Sequence, residues 1–296
     1  MNNKERGFLL LTSQLGNPAR KPLTVAQFRT LASCVAQMDK PTDSRELTEA
    51  DLLALGYNRP TASRIIGLLS DGELLDRYLF VGGQKDCVPI SRISGEYPLA
   101  VRKRLGLDAP GCLWAKGNTA LLHTQTVSLV GSRQLHESNR IFAETAGREV
   151  ARQGFTLVSG NAWGADRAAQ DACLAAGGRV ISVVADELEK HPLTENVLYL
   201  SEDSFDLPFS GARALSRNRV IHCLGYLTLV AQSNLGIGGT WDGTVKNLQK
   251  GWSPVFCFAD GSAAMTELSQ LGGKLIDISR LSHLAQLEPD ARSFVL

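Results

Sequence analysis

Through the second half of the chain, short apolar runs alternate with longer stretches whose apolar positions recur at helical spacing. The runs at 127–130, 155–159, 179–184, 226–231, 254–258 and 274–277 read as strands. The stretches at 139–153, 166–176, 213–224, 241–249 and 262–270 read as helices. Strands and helices in this alternation predict parallel strands joined by right-handed crossovers. The fold expected is α/β, a Rossmann-like, doubly wound, mostly parallel sheet. The first part of the chain has a different rhythm. Residues 25–38, 48–55 and 61–69 carry short helical patterns punctuated by Pro41, Gly56 and Pro60. Residues 82–118, with Pro89, Pro98, Pro110, Gly111 and Gly117, read as an irregular connector. This divides the chain into a small all-α unit over 1–90 and the Rossmann-like unit over 91–296.

The strand ends carry the candidate chemistry. In an open parallel sheet, ligands bind at the carboxyl ends of the strands. Val127 to Val130 runs into Gly131, Ser132 and Arg133, and the strand ending at Ser159 runs into Gly160, Asn161, Ala162, Trp163, Gly164, Ala165 and Asp166. Glycines and small polar residues ahead of a helix supply backbone N–H groups for an anion, with phosphate the natural guest. Asp166 stands where the next helix wants an N-cap. Arg133 either pairs with a neighbouring carboxylate or meets a phosphate as a planar fork, and the second is favoured. Trp163 either stacks on a base or covers the core.

Two further clusters follow. Arg217 and Arg219, flanking Asn218, point about 200° apart on a helix, so one is expected at the ligand edge and the other as a brace. The loop from Gly236 through Gly238, Gly239 and Thr240 to Thr244 is too rich in glycine for an ordinary connection and reads as another phosphate turn. A G-x-G-x-x-G after the first strand is missing, which argues against NAD or FAD, and no cofactor is expected.

Composition adds limits. The net charge of +1 gives no bulk electrostatic argument for nucleic acid, so any basic surface must be local. The six cysteines form no C-x-x-C pair and the five histidines do not join them at metal-ligand spacing, so a reduced, cytoplasmic, metal-free protein is expected. Residues 1–11 show no leader pattern, and no run approaches a transmembrane length.

Taken together, these motifs resemble the DprA/Smf family of DNA-processing proteins. Val127 to Arg133 is similar to its V-x-I-V-G-[ST]-R, Ser159 to Asp166 to its S-G-x-A-x-G-x-D, and Ala176 to Ile181 to its A-G-G-x-T-I. Arg217 to Ile221 resembles its R-N-R-I-I, and Tyr97, Pro98 and Leu113 to Asn118 resemble its lead-in. The all-α unit, through Asp51 to Tyr57 and Thr61 to Ile66, resembles a SAM-like or helix-hairpin-helix pair without the G-x-G of a DNA-binding hairpin. The family resemblance implies a non-catalytic, single-stranded DNA-binding homodimer that helps load a RecA-type recombinase during transformation or recombination. It also implies that Arg133 and the N–H groups around Ser159 and Gly160 hold the DNA backbone. Trp163 stands where the family often has arginine, Ala165 replaces isoleucine, and Gln170 replaces histidine. The winged helix that ends many members is not expected here.

Two other readings stay open. A nucleotide sensor would use the same phosphate turns in a closed pocket. A phosphoribohydrolase of the LOG type would need a carboxylate where Asn247 stands, with Asp242 the local substitute. A polynucleotide track would draw on Arg133, Arg140, Arg167, Arg213, Arg217 and Lys246, with Trp163 or Trp241 as platforms.

Overall fold

Side chains alternate across the strands, and both faces of the sheet are buried. The computed structural model describes residues 1–38, 46–202 and 204–287. Pro41 lies outside them. The strands are β1 (Val88–Ser91), β2 (Cys112–Gly117), β3 (Thr126–Val130), β4 (Thr156–Ser159), β5 (Arg179–Val184), β6 (Val197–Glu202), β7 (Leu227–Val230), β8 (Val255–Phe258) and β9 (Lys274–Ile276). They form one sheet in the order β1-β2-β6-β5-β4-β3-β7-β8-β9. From β6 across to β9 all neighbours are parallel, as the α/β reading expects, whereas β1–β2 and β2–β6 are antiparallel.

In β3, Val127 and Leu129 enter one core and Val130 the other. Ser128 is tolerated inside because its Oγ donates to the Ile221 carbonyl at 2.6 Å. One face is covered by α7 (Glu137–Arg152) and α8 (Ala165–Ala175), the other by α6 (Leu99–Leu105), α9 (Gly211–Leu224), α10 (Gly239–Lys250) and α11 (Ala263–Gln270). Helices α7 and α8 pack unusually close, since a Cβ on Gly147 would overlap the Ala169 carbonyl.

The chain starts its parallel sheet at β3, moves outward through β4, β5 and β6, and returns by way of α9 to β7 on the other side of β3. Strand order therefore reverses between β3 and β7. A crevice opens at such a switch point because the two flanking connections leave to opposite faces.

Several elements depart from the sequence expectation. The 82–118 segment is not irregular: it holds β1, α6 and β2 and widens the sheet. Pro89 fits because β1 is an edge strand, with only one side of its backbone in a ladder. Strand β6 and the helices α1 (Asn3–Thr12) and α5 (Gly72–Gln84) have no counterpart in the predicted elements. Gly82 sits within α5 because a Cβ there would come within 2.8 Å of the Trp114 ring. Against α1 pack α2 (Val25–Ala36) and α4 (Arg59–Ser70), with α3 (Glu49–Ala54) on α4 and Leu11, Leu31, Leu52 and Ile65 as a satellite core.

Candidate functional site

A cleft of about 510 Å³ lies over the switch point, between the turn after β3, one side of α9, the loop after β7 and the start of α10. Gly131, Ser132, Arg133, Asp166, Arg217, Asn218, Gly238, Gly239 and Thr240 all line it, so residues far apart in sequence meet here. Arg133 is exposed, and among the described residues no carboxylate or other acceptor engages its guanidinium. Across the cleft, no side chain caps α10, and the Gly239 and Thr240 N–H groups have no acceptor among the described residues. A free guanidinium and an open helix amino terminus therefore face one space, and both favour an anion. Gly236 (φ 71°) and Gly238 (φ 93°) supply the left-handed backbone that brings α10 to this edge. Leu215 and Ile237 add exposed apolar surface to the same walls.

The turn after β4 is built differently. Its N-cap is Gly164, not Asp166, and Asp166 lies in the first turn of α8, folded back on the loop. The Gly160 and Ala162 N–H groups donate to Asp166 Oδ2 at 3.2 and 3.3 Å, so the nest already holds a carboxylate of the chain itself. Ser159 is fully buried, with its Oγ donating to the Leu129 carbonyl at 2.9 Å. Asn161 takes a left-handed φ of 59° and accepts a hydrogen bond from Arg167 Nη1 at 2.8 Å. Ser159, Gly160, Asn161 and Gly164 stand behind the cleft wall and do not line it.

Arg217 is buried, donates through Nη1 to the Val183 carbonyl at 2.5 Å, and stands 4.0 Å from Asp166. A Cβ on Gly160 would overlap its guanidinium, so this glycine makes room for an arginine side chain. Burial pushes the Asp166 carboxyl up from the ordinary carboxylate range, while Arg217 and the two N–H donors pull the other way. The divergent arginines are both engaged: Arg217 braces the cleft floor, and Arg219 pairs with Glu202 at 3.1 Å. Asn218 joins helices, donating from Nδ2 to the Gly239 carbonyl at 3.0 Å and so fixing the start of α10.

Some positioning residues were not singled out by sequence. The Gln232 side-chain amide accepts from the His136 N–H and donates to the Gln134 carbonyl, both at 2.9 Å, and the Gln232 backbone carbonyl accepts the Ser132 N–H at 3.0 Å. It holds the Arg133 turn at both ends. The available signal was polar Gln232, Ser233 and Asn234 directly after an apolar strand, beside the first turn. Of the candidate track, Arg213 is spent on the carbonyls of Ala185, Leu207 and Pro208. Trp241 packs against the core, whereas Trp163 is 79% exposed and covers no core. Asn247 is buried and donates to His222 Nδ1 at 3.1 Å, and Asp242 lines a separate depression beside Lys246 and Trp252. Neither faces the cleft.

Among the described residues, no cluster of histidine, cysteine and carboxylate side chains is arranged for a metal, and no helix is long and apolar enough to cross a membrane. Comparison with known proteins points to one family. Protein Smf of Escherichia coli (strain K12) is 32% identical over 146 residues, covering 44% of this chain and 38% of that protein. DNA processing protein DprA of Bacillus subtilis (strain 168) is 29% identical over 157 residues, covering 49% and 51%. The match thus spans about half or less of these relatives' length. The fold resembles that of DNA processing protein A from Streptococcus pneumoniae, with a TM-score of 0.68 over 97% of this chain and 99% of that one, at 22% identity. The Helicobacter pylori protein of that name, studied for its single-stranded DNA binding mode, gives 0.57 over 67% and 95%, at 24% identity. The sequence model for DNA recombination-mediator protein A matches residues 89–247, which include β3, the turns after β3 and β4 and the Arg217 segment, and on that match the chain belongs to this family.

Proposed function

We propose that the cleft between β3 and β7 binds the phosphate backbone of single-stranded DNA, and that the chain acts as a recombination mediator without cleaving its ligand. In this reading it shields a strand taken up or exposed during recombination and helps load a RecA-type recombinase. It works in the cytoplasm as a homodimer, with the helical unit of 1–90 ahead of the binding domain of 91–296. The observation that carries it is the unpaired Arg133 fork facing the uncapped start of α10 over the switch point. Family membership and the binding mode studied in the Helicobacter pylori relative support the same ligand. All six cysteines are free, which fits a reducing compartment.

The test is titration of labelled oligo-dT at two salt concentrations, with AMP and cyclic nucleotides as competitors. Arg133→Ala should weaken binding roughly tenfold, the scale of a charged hydrogen bond. It should also lower the salt slope by about 0.7, the contribution of one phosphate on a single strand. Tight mononucleotide binding with no affinity for oligo-dT would sink the proposal in favour of a nucleotide sensor.

A further inference from the structure

Beyond Arg133 the surface continues from the cleft into a second groove, of about 610 Å³, between the outer faces of α7 and α8. Arg133 lines both. The groove walls carry Arg140 and Arg148 from α7, Arg167 from α8, and the Trp163 indole from the turn after β4. Glu144 and Asp171 share these walls, but they are fewer than the arginines. The ion pairs there, Arg148–Glu144 at 3.8 Å and Arg140–Glu137 at 3.6 Å, are long and solvent-exposed. Such pairs are weak and give way readily to a phosphate.

The platform is held by contacts within the chain itself. Gly164 takes a φ of 87°, and a Cβ there would overlap the Ser132 and Arg133 carbonyls, so the Trp163 turn is seated directly on the Arg133 turn. The Ala165 N–H donates to the Ser132 carbonyl at 3.1 Å and fastens the two together. Arg167 is aimed by its bond to Asn161. An exposed indole on a fixed turn, ringed by arginines, has no core to cover. It offers a stacking face to an unpaired base and cations to the phosphates on either side, which is the chemistry of single-strand recognition. A duplex keeps its base faces stacked and could not use the indole.

We infer that a single strand bound in the cleft runs on past Arg133 into the α7–α8 groove, stacking one base on Trp163 with flanking phosphates on Arg140 and Arg167. This rests on DNA binding at the cleft, and the experiment separates the two. Full-length protein is titrated with an oligo-dT series of increasing length, reading both affinity and tryptophan emission. Trp163 is the exposed indole, since Trp114 is buried and Trp241 and Trp252 pack on the core. Wild type should gain affinity in two stages, the second accompanied by quenching. Trp163→Ala should leave the shortest bound oligomer unaffected and weaken the longest roughly 5- to 150-fold, the range of one lost stack. Trp163→Phe should restore most of that loss. Arg140→Gln combined with Arg167→Gln should lower the salt slope for long oligomers only, by about 0.7 per phosphate contact. Equal affinity of Trp163→Ala and wild type at every length would overturn the groove and leave the cleft standing. No binding by wild type at any length would overturn both.

Discussion

Asn247 determines the state of His222. Its Oδ1 accepts the Ser253 N–H at 2.9 Å, which leaves Nδ2 to donate to His222 Nδ1 at 3.1 Å. An Nδ1 that accepts cannot also hold a proton, and burial pushes the imidazole down from 6.5 to about 3. Between those values the unfolded chain binds a proton that the folded chain refuses, so stability falls as pH falls, by about 1.4 kcal/mol per unit. Equilibrium denaturation at pH 7 and pH 5 should therefore lose ~2 kcal/mol less in His222→Gln than in wild type. An identical loss in both proteins would mean the imidazole protonates freely in the native state. Sequence marked Asn247 only as a missing carboxylate, because its role depends on burial. Arg133 was legible as a residue of the sheet's ligand edge from its place after a strand, and it lines the cleft. Whether Asp166 would cap a helix or fill a nest was not, since both uses suit a carboxylate one turn away.

At the scale of elements, α7 and α8 were legible because each shows a clear apolar stripe between polar faces. Their closeness was readable only in Gly147 and the run of alanines opposite. A Cβ on Gly147 would overlap the Ala169 carbonyl, and backbone cannot yield as a side-chain tip can. Gly147→Ala should thus cost ~1–3 kcal/mol in chemical denaturation, as overpacking does. It should also weaken long oligomers more than short ones, because it spreads the helices that form the groove. Strands β1, β2 and β6 escaped the pattern for distinct reasons. Pro89 interrupts β1, and Lys116 breaks the apolar run of β2, although its Nζ is satisfied by the Glu189 carbonyl at 2.8 Å. The β6 run ends in Ser201 and Glu202, which look like loop residues until Ser216 and Arg219 of α9 are placed beside Glu202.

Over the whole molecule, Phe8, Leu9, Leu75 and Tyr78 from the first 90 residues lie in one core cluster with Val127, Phe142 and Leu157. Arg20 fastens these helices from within, donating to the Leu10 and Leu68 carbonyls at 2.6 and 2.8 Å and pairing with Asp71 at 2.8 Å. A shared core predicts one cooperative thermal transition by calorimetry. Arg20→Ala, which leaves those carbonyls unpaired, should cost about 3 kcal/mol of stability and so lower the midpoint of that transition without splitting it. Two resolved peaks in wild type would contradict the shared core. A net charge of +1 foretold none of the local contrast between the arginine-lined groove and the rest.

If the cleft binds single-stranded DNA as proposed, the carboxylate that Asp166 places in the turn after β4 would bear on how a polymer is told from a monomer. A vacant nest closes around a lone phosphate and would be titrated by the abundant free nucleotides of a cell. With that socket filled from within, the remaining anion contacts are individually weak and spread along an open edge. On that reading a mononucleotide would engage too few of them to compete. Under the single-stranded DNA reading proposed above, a polynucleotide would engage several at once, each bound phosphate raising the effective concentration of the next, so that avidity over chain length would supply the selectivity.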